Sequence, residues 1–261
     1  MILDALIDSY GSYLQARSKS SWTQFKKRPI EAARAEATVF RVLQYCGAKP
    51  TVADDEGGPD FECSGGAYMM EATAFMNDKI TCDTALQNEV PSEIRGQAFG
   101  LLTKQIAEKA EAKHRQISAP KKPGILAIAS AHAGASLVLD SYAAQCLLTS
   151  EPFWRGTNEN MSVDFSLSPF LRLEENGEIV AHHTGISAIV LISITADRSY
   201  VCGVLHPAPA RPFDSKLLWQ IPFIYSKDWP IENNRIRCAW TMGEQRTYEV
   251  PHGAIKTESY Q

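Results

Sequence analysis

The run Gly-Ile-Leu-Ala-Ile-Ala-Ser at residues 124–130 is the feature that most restricts the fold. Its five inner residues are all apolar, and the turn-forming sequence Pro-Lys-Lys-Pro precedes it. An apolar run of this length without polar alternation is typical of a strand that is buried on both faces. Such a strand needs a packed layer on each of its faces. Together with the order of helices and strands along the chain, the run predicts an α/β layer fold with a central sheet.

Apolar periodicity and turn residues divide the rest of the chain. Helices are predicted at 2–16, 29–46, 92–117 and 135–149. Extended segments are predicted near 48–53, 59–64, 67–75, 185–194 and 200–206, the last two as an antiparallel pair. Irregular structure is predicted for the basic connector at 18–29, the loop at 76–92 and the loop-rich segment 151–184. This order favours a central mixed β-sheet.

We expect one domain over residues 1–261. Residues 1–28 would form the N-terminal helix and basic connector, and residues 29–130 would form the core. Residues 131–261 would complete the core and add a C-terminal β-rich elaboration.

The composition is that of an ordinary globular protein, with 44% apolar and 21% charged residues. The six cysteines form no Cys-x-x-Cys pair, and no apolar run is long enough for a membrane span or a signal peptide. We therefore expect a cytoplasmic protein with reduced cysteines and no membrane partner.

Two basic segments, 16–35 and 101–124, stand out from a net charge of −4. Together they could form a groove that faces phosphate groups, although two solvated helix faces would have the same composition. As candidate nucleic-acid contacts we select Lys26, Lys27, Arg28, Lys104 and Arg115.

Two acidic residues, Asp60 and Glu71, occupy predicted strands on either side of a Ser-Gly-Gly turn. If the turn pairs these strands, the two carboxylates lie close together and repel each other unless a cation joins them. Oxygen ligands of this kind suit Mg²⁺ or Mn²⁺. The alternative is that Asp60 only caps a turn, whereas Glu71 lies in an apolar strand where an unpaired acid is costly.

The residues from Glu36 to Gly47 follow the pattern Glu-x-x-Val-x-x-x-Leu-x-x-x-Gly, and Pro-Asp-Phe at 59–61 and Glu71 come next. Over roughly residues 30–130 this pattern resembles the PD-(D/E)XK superfamily of restriction-endonuclease-like nucleases. The resemblance implies a restriction-endonuclease-like core. It implies Asp60 and Glu71 as metal ligands and Glu36 as a supporting catalytic acid. The implied activity is metal-dependent hydrolysis of phosphodiester bonds, with DNA as the favoured substrate.

Thr73 departs from this pattern, because the superfamily usually places a lysine two residues after the glutamate. That lysine orients and activates the attacking water or offsets negative charge at the phosphate. Threonine is neutral and cannot act in the same way. Some members supply the lysine from the following helix. Here Lys109 and Lys113 share a face of the predicted helix 92–117. We expect Lys109, or else Lys113, to complete the catalytic set; Gln105 and Gln116 are neutral alternatives.

Other interpretations stay open at this stage. The chain could be a non-catalytic nuclease-fold subunit that binds nucleic acid or a protein, as a homodimer or within a larger defence or repair complex. It could also be an interaction domain whose hairpin acids are turn residues. His182 and His183 have no cysteine or carboxylate at ligand spacing, so structural or loop roles are expected for them.

Overall fold

The computed structural model describes residues 2–17, 19–53, 58–75, 95–131, 139, 141–149, 168–194, 199–231, 236–242, 246–249 and 256–259. The loop predicted at 76–92 lies outside these residues, as do residues 135–138 of the last predicted helix and 151–167 of the loop-rich segment.

The helices are α1 (Ile2–Arg17), α2 (Lys19–Phe25), α3 (Ile30–Tyr45), α4 (Arg95–Ser118) and α5 (Ser141–Thr149). The strands are β1 (Thr51–Val52), β2 (Phe61–Cys63), β3 (Tyr68–Ala74), β4 (Gly124–Ser130), β5 (Leu171–Leu173), β6 (Ile179–Ala181), β7 (Ala188–Ile194), β8 (Ser199–Leu205), β9 (Phe223–Ser226), β10 (Arg237–Trp240), β11 (Arg246–Glu249) and β12 (Lys256–Ser259).

Ten of the described strands form one mixed sheet in the order β1-β2-β3-β4-β7-β8-β9-β10-β11-β12. Strands β3, β4 and β7 are parallel, and β1, β2 and β3 form an antiparallel meander. Strands β7 and β8 are the predicted antiparallel pair. The predicted mixed α/β architecture is confirmed, and β9–β12 extend the same sheet.

Strand β4 is buried on both faces, as its sequence predicts. Ile125 and Ala127 belong to the apolar core beneath α1–α3, whereas Leu126 and Ile128 belong to the core beneath α4 and α5. Because side chains alternate along a strand, one apolar run serves both layers. The sheet therefore lies between two helical layers at this point.

One prediction of irregular structure was wrong, and a second was incomplete. The connector predicted at 18–29 contains α2, because Phe25 is buried and its ring packs edge-on against Tyr10 of α1 at 5.2 Å. The segment predicted to be loop-rich contains the β5–β6 hairpin, because Leu171 and Ile179 are buried in the core beneath α4 and α5.

Helix α3 carries Glu36 on the side that faces the sheet. Its buried side chains include Ala33, Ala37, Phe40 and Leu43, and Glu36 lies within this stripe. Residues three and four apart share one face of a helix, so the apolar pattern that docks α3 also buries the carboxylate.

Helix α4 packs on the opposite face of the sheet through Ile106, Ala110 and Ile117, which are buried. By helical spacing, Lys109 and Lys113 border one side of this apolar stripe. Glu111, with His114 beside it, borders the other side. One helix therefore presents two different polar edges to its surroundings.

The hairpin of β2 and β3 sets the position of the predicted acids. Residues 64–66 form its turn with positive φ angles, which the two glycines adopt without strain. The pairing of Phe61 with Met70 and of Cys63 with Tyr68 fixes the register. Since β2 begins at Phe61, the later part of β3 pairs with β4 alone.

Five cysteines in the described part of the chain are free and buried, and Cys82 lies outside it. Among the described helices, none combines the length and the apolarity that a membrane-spanning segment needs.

Replacing Leu126 with alanine should lower the free energy of unfolding by about 2–5 kcal/mol, because it leaves a cavity in the centre of the sheet. Leu173→Ala is the matched control: Leu173 is 45% exposed, whereas Leu126 is fully buried. We expect the control to change stability by about 0.5 kcal/mol or less. Denaturant unfolding of both variants measures the difference, and equal losses would contradict the two-layer packing around β4.

Candidate functional site

Asp60 lies immediately before β2 and binds the edge of β3. Its Oδ2 atom accepts a hydrogen bond of 2.9 Å from the backbone N–H of Ala72. That N–H belongs to the stretch of β3 that β2 does not cover, so the carboxylate satisfies a group that a longer strand would have paired. The contact places Asp60 opposite Glu71.

Glu71 is buried in the middle of β3, with 2% of its side chain exposed. Its Oε1 atom forms an ion pair of 2.6 Å with the Lys113 ammonium, and its Oε2 atom accepts a 2.9 Å hydrogen bond from the amide of Gln116. The Gln116 amide also donates to the backbone oxygen of Gly58 at 2.6 Å. Helix α4 thus holds both oxygens of Glu71 and the residues that precede Asp60.

The carboxyl group of Asp60 lies near enough to Glu71 to act on its pKa. Burial and, after it, the charge of Asp60 raise the pKa of Glu71 to about 8, although Lys113 acts in the opposite direction. At Glu71, burial and the neighbouring carboxylate therefore disfavour the charged form more than Lys113 favours it.

Glu36 reaches the same cluster from the other face of the sheet. Its Oε1 atom accepts a 2.7 Å hydrogen bond from the Tyr10 hydroxyl, and its Oε2 atom lies 2.9 Å from the Arg28 guanidinium. Arg28 also contacts Asp60 Oδ1 at 3.3 Å, so one guanidinium joins the two acids. Burial and, after it, the charge of Asp60 raise the pKa of Glu36 to about 7, although Arg28 and the Tyr10 hydrogen bond act in the opposite direction.

Lys109 contacts the threonine that replaces the strand lysine. Its ammonium lies 3.4 Å from Thr73 Oγ1 and 5.5 Å from the centre of the Phe75 ring. Thr73 and Glu71 point to the same side of β3, because residues two apart share a face of a strand. A positive charge from α4 is therefore present at the position where the sequence pattern lacks one.

The described residues balance the charges of the cluster. The three carboxylates are accompanied by three cations, which for buried or half-buried groups is needed to offset the cost of desolvation. The acids are Glu36, Asp60 and Glu71, and the cations are Arg28, Lys109 and Lys113.

The residues selected as nucleic-acid contacts lie in different surroundings. Lys26 and Lys27 are exposed just after α2, next in sequence to Arg28, whose charge is paired with the acids of the cluster. Lys104 and Arg115 are exposed on α4, on the solvent side rather than on the edge that carries Lys109. Of these five residues, Arg28 therefore belongs to the carboxylate cluster, and Lys26 and Lys27 precede it directly in the chain.

The sequence did not indicate the roles of three contributors to the cluster. Gln116 was weighed only as a neutral alternative to a lysine, although its spacing of three from Lys113 indicated a shared helix edge. Tyr10 had no signal, because its contact with Glu36 joins residues 26 apart in the chain. Arg28 was assigned to phosphate binding, and nothing in the local sequence indicated an ion pair with Asp60.

The oxygen atoms of Asp60 and Glu71 fit a hard divalent cation. Two adjacent carboxylates with a raised pKa on Glu71 form a donor set that Mg²⁺ or Mn²⁺ would stabilise.

A second group of possible metal ligands has a different composition. Glu111, His182 and His183 place one ligand atom each within 4.8 Å of one another. The sequence near the two histidines contains no carboxylate at ligand spacing and therefore did not indicate a metal site. The carboxylate comes from Glu111 on α4, which is far away in the chain.

Comparisons with protein-family models, with curated proteins and with solved structures found no match to this chain.

The raised pKa of Glu71 predicts how stability depends on pH in the absence of divalent metal. Between its ordinary value of 4.5 and about 8, folded Glu71 binds its proton more tightly than the unfolded chain does. The free energy of unfolding should therefore fall as pH rises through this window, by at most about 1.4 kcal/mol per pH unit for this group.

Glu71→Gln removes this titration and should flatten the pH dependence of stability. Glu62→Gln is the matched control, because Glu62 is half-exposed on β2 and pairs with Lys122. The measurement is denaturant unfolding in chelator at several pH values from 5 to 8. A wild-type slope no steeper than that of Glu71→Gln would contradict the prediction.

Proposed function

We propose that the chain is a divalent-metal-dependent nuclease that hydrolyses phosphodiester bonds, with DNA as the favoured substrate. The observation that carries the proposal is the contact of Lys109 with Thr73, beside the adjacent carboxylates of Asp60 and Glu71. This arrangement supplies two metal-binding acids and one nearby positive charge. Those are the groups that the resemblance to the PD-(D/E)XK superfamily implies.

Asp60 and Glu71 would hold Mg²⁺ or Mn²⁺, which when bound supplies activation of water and stabilisation of charge on the phosphodiester. Lys113 and Gln116 orient Glu71 by holding its two oxygens. Arg28 links Asp60 to Glu36, which makes Glu36 a positioning residue for the pair. Lys109 would orient the attacking water or offset charge at the phosphate from its position beside Thr73.

The fold supports the same proposal. A helix with Glu36, a hairpin with Asp60 and Glu71, a helix with Lys109 and the buried strand β4 follow in the order that the resemblance implies. We propose that residues 29–130 form a restriction-endonuclease-like core. The exposed lysines 26 and 27 would contact the phosphate backbone beside the cluster, giving a salt-dependent affinity that carries little sequence information.

A second candidate is a non-catalytic subunit of the same fold, and the charge balance of the cluster favours it. The three carboxylates already have cationic partners from the chain itself: Arg28 pairs with Glu36 and Asp60, and Lys113 pairs with Glu71. A site that has lost its metal would be expected to acquire such partners. Calorimetry with Mn²⁺ separates the candidates: the enzyme should bind Mn²⁺ in a manner that requires Asp60 and Glu71, and the subunit should not.

Asp60→Asn and Glu71→Gln should each abolish Mg²⁺- or Mn²⁺-dependent cleavage of plasmid DNA, because each removes an ionised ligand while keeping the size of the side chain. Glu62→Gln is the control, since it removes a carboxylate from the same hairpin that faces Lys122 instead. We expect the control to cleave at the wild-type rate. Unchanged cleavage in both ligand variants would reject the proposal.

Moving the lysine from the helix to the strand tests the role of Lys109. Lys109→Ala should lower the cleavage rate by about 100-fold or more, in the range of a lost proton-transfer or charge-stabilising group. The double variant Thr73→Lys with Lys109→Ala should regain part of that rate. The side chain of a lysine at position 73 would extend from the place that the Thr73 hydroxyl occupies, beside which the Lys109 ammonium now lies.

Lys104→Ala is the control for this experiment, because Lys104 is exposed on the same helix away from the cluster. Cleavage by Lys109→Ala at the wild-type rate would show that Lys109 has no part in the reaction. A loss in Lys109→Ala without any recovery in the double variant would assign Lys109 a role that depends on its position on α4.

A further inference from the structure

We propose that Glu111, His182 and His183 bind a divalent transition metal ion of the Zn²⁺ class, at a site separate from the carboxylate cluster. Glu111 lies on the edge of α4 opposite to Lys109 and Lys113. The two histidines lie in the connection between β6 and β7. One ligand atom from each residue lies within 4.8 Å of the other two.

The hydrogen bonds of His183 leave its outer nitrogen available to a metal. Its Nδ1 atom lies 2.8 Å from the backbone oxygen of Pro169, and since that oxygen can only accept, Nδ1 carries a hydrogen. In the neutral ring Nε2 then has a lone pair. Nε2 lies 2.6 Å from a carboxylate oxygen of Glu111, which is also an acceptor. One hydrogen between the two atoms accounts for this contact. A metal ion that replaced this hydrogen would bind the same two atoms after they move apart to the spacing that metal–ligand bonds need.

The surroundings hold the two histidines as a built site. A backbone carbonyl bound to the second nitrogen of a ligating histidine is the usual support that fixes its ring and tautomer. The backbone of His182 is anchored at both ends: its N–H donates to Phe170 at 2.7 Å, and its carbonyl accepts from His206 Nε2 at 2.7 Å. His206 Nδ1 accepts from the N–H of Ala208, which fixes the tautomer of His206 as a donor to His182.

The donor set decides the class of metal. Two imidazole nitrogens and one carboxylate oxygen suit Zn²⁺, Co²⁺ or Ni²⁺, whereas the carboxylates of Asp60 and Glu71 suit Mg²⁺ or Mn²⁺. The His183 side chain is 7% exposed and that of Glu111 is 67% exposed, so the site is fixed on one side and open to solvent on the other. Three protein ligands leave a coordination position for water. A bound ion would also join α4 to the β6–β7 connection.

Calorimetry with Zn²⁺ on the metal-free full chain tests the site. We expect one Zn²⁺ to bind the wild-type protein, and Glu111→Gln and His182→Ala each to weaken that binding by more than about 10-fold. Glu111 is exposed, so Glu111→Gln keeps the test valid should a histidine variant fail to fold. Co²⁺ should give visible absorption bands in the wild-type protein that are lost in both variants.

Two controls separate this site from others. Glu108→Gln removes the same charge from an exposed position one turn earlier on α4 and should leave Zn²⁺ binding unchanged. The Asp60→Asn, Glu71→Gln double variant should also keep its Zn²⁺, whatever its nuclease activity. Zn²⁺ binding that is absent from the wild type, or equal in wild type, Glu111→Gln and His182→Ala, would overturn the proposal and leave the contact of His183 with Glu111 as a simple ion pair.

Discussion

The carboxylate of Asp60 binds the edge of β3 where β2 ends, and the candidate site is arranged around this contact. Because β2 begins only at Phe61, the N–H of Ala72 needs another acceptor, and Asp60 provides it. The uncovered edge leaves room for side chains from both helical layers. Arg28 and Glu36 approach from the α3 side, and Lys113 approaches Glu71 from the α4 side. A longer β2 would pair this edge with backbone groups and exclude that convergence.

The cluster is costly to build, which makes a purely structural role a weak explanation for it. Buried carboxylates lose hydration, and replacement of such networks by apolar residues is often neutral or stabilising. Glu36 and Glu71 both have raised pKa values because of burial and the charge of Asp60. Clusters of perturbed acids with matched cations are typical of functional sites. A divalent ion between Asp60 and Glu71 would lower the cost that the metal-free protein bears.

Helix α4 connects the two proposed metal sites. Its apolar stripe packs on the sheet, one edge carries Lys109, Lys113 and Gln116, and the other carries Glu111. A metal ion at Glu111 and the two histidines would restrain this helix against the β6–β7 connection. The same restraint would hold the lysine edge in place beside β3, because both edges belong to one rigid element.

The sequence alone determined the elements whose signal is local. The apolar run of β4 predicted two-sided burial, the helical periodicity predicted α3 and α4, and the Ser-Gly-Gly turn predicted the hairpin of Asp60 and Glu71. Helical spacing was also enough to select Lys109 and Lys113 as the lysines nearest the strand. These inferences succeeded because periodicity, turn chemistry and side-chain faces depend on residues that are close in the chain.

Only the tertiary structure decided which distant residues meet. Tyr10 with Glu36, Arg28 with Asp60, Gln116 with Glu71 and Glu111 with His183 are contacts between elements far apart in sequence. The helix α2 and the β5–β6 hairpin likewise depend on partners elsewhere, since Phe25 packs on Tyr10 and Leu171 lies in the core beneath α4 and α5. Local sequence states which face a side chain occupies. The packing of helices on the sheet determines what that face contacts, because local sequence does not set the distances between separate elements.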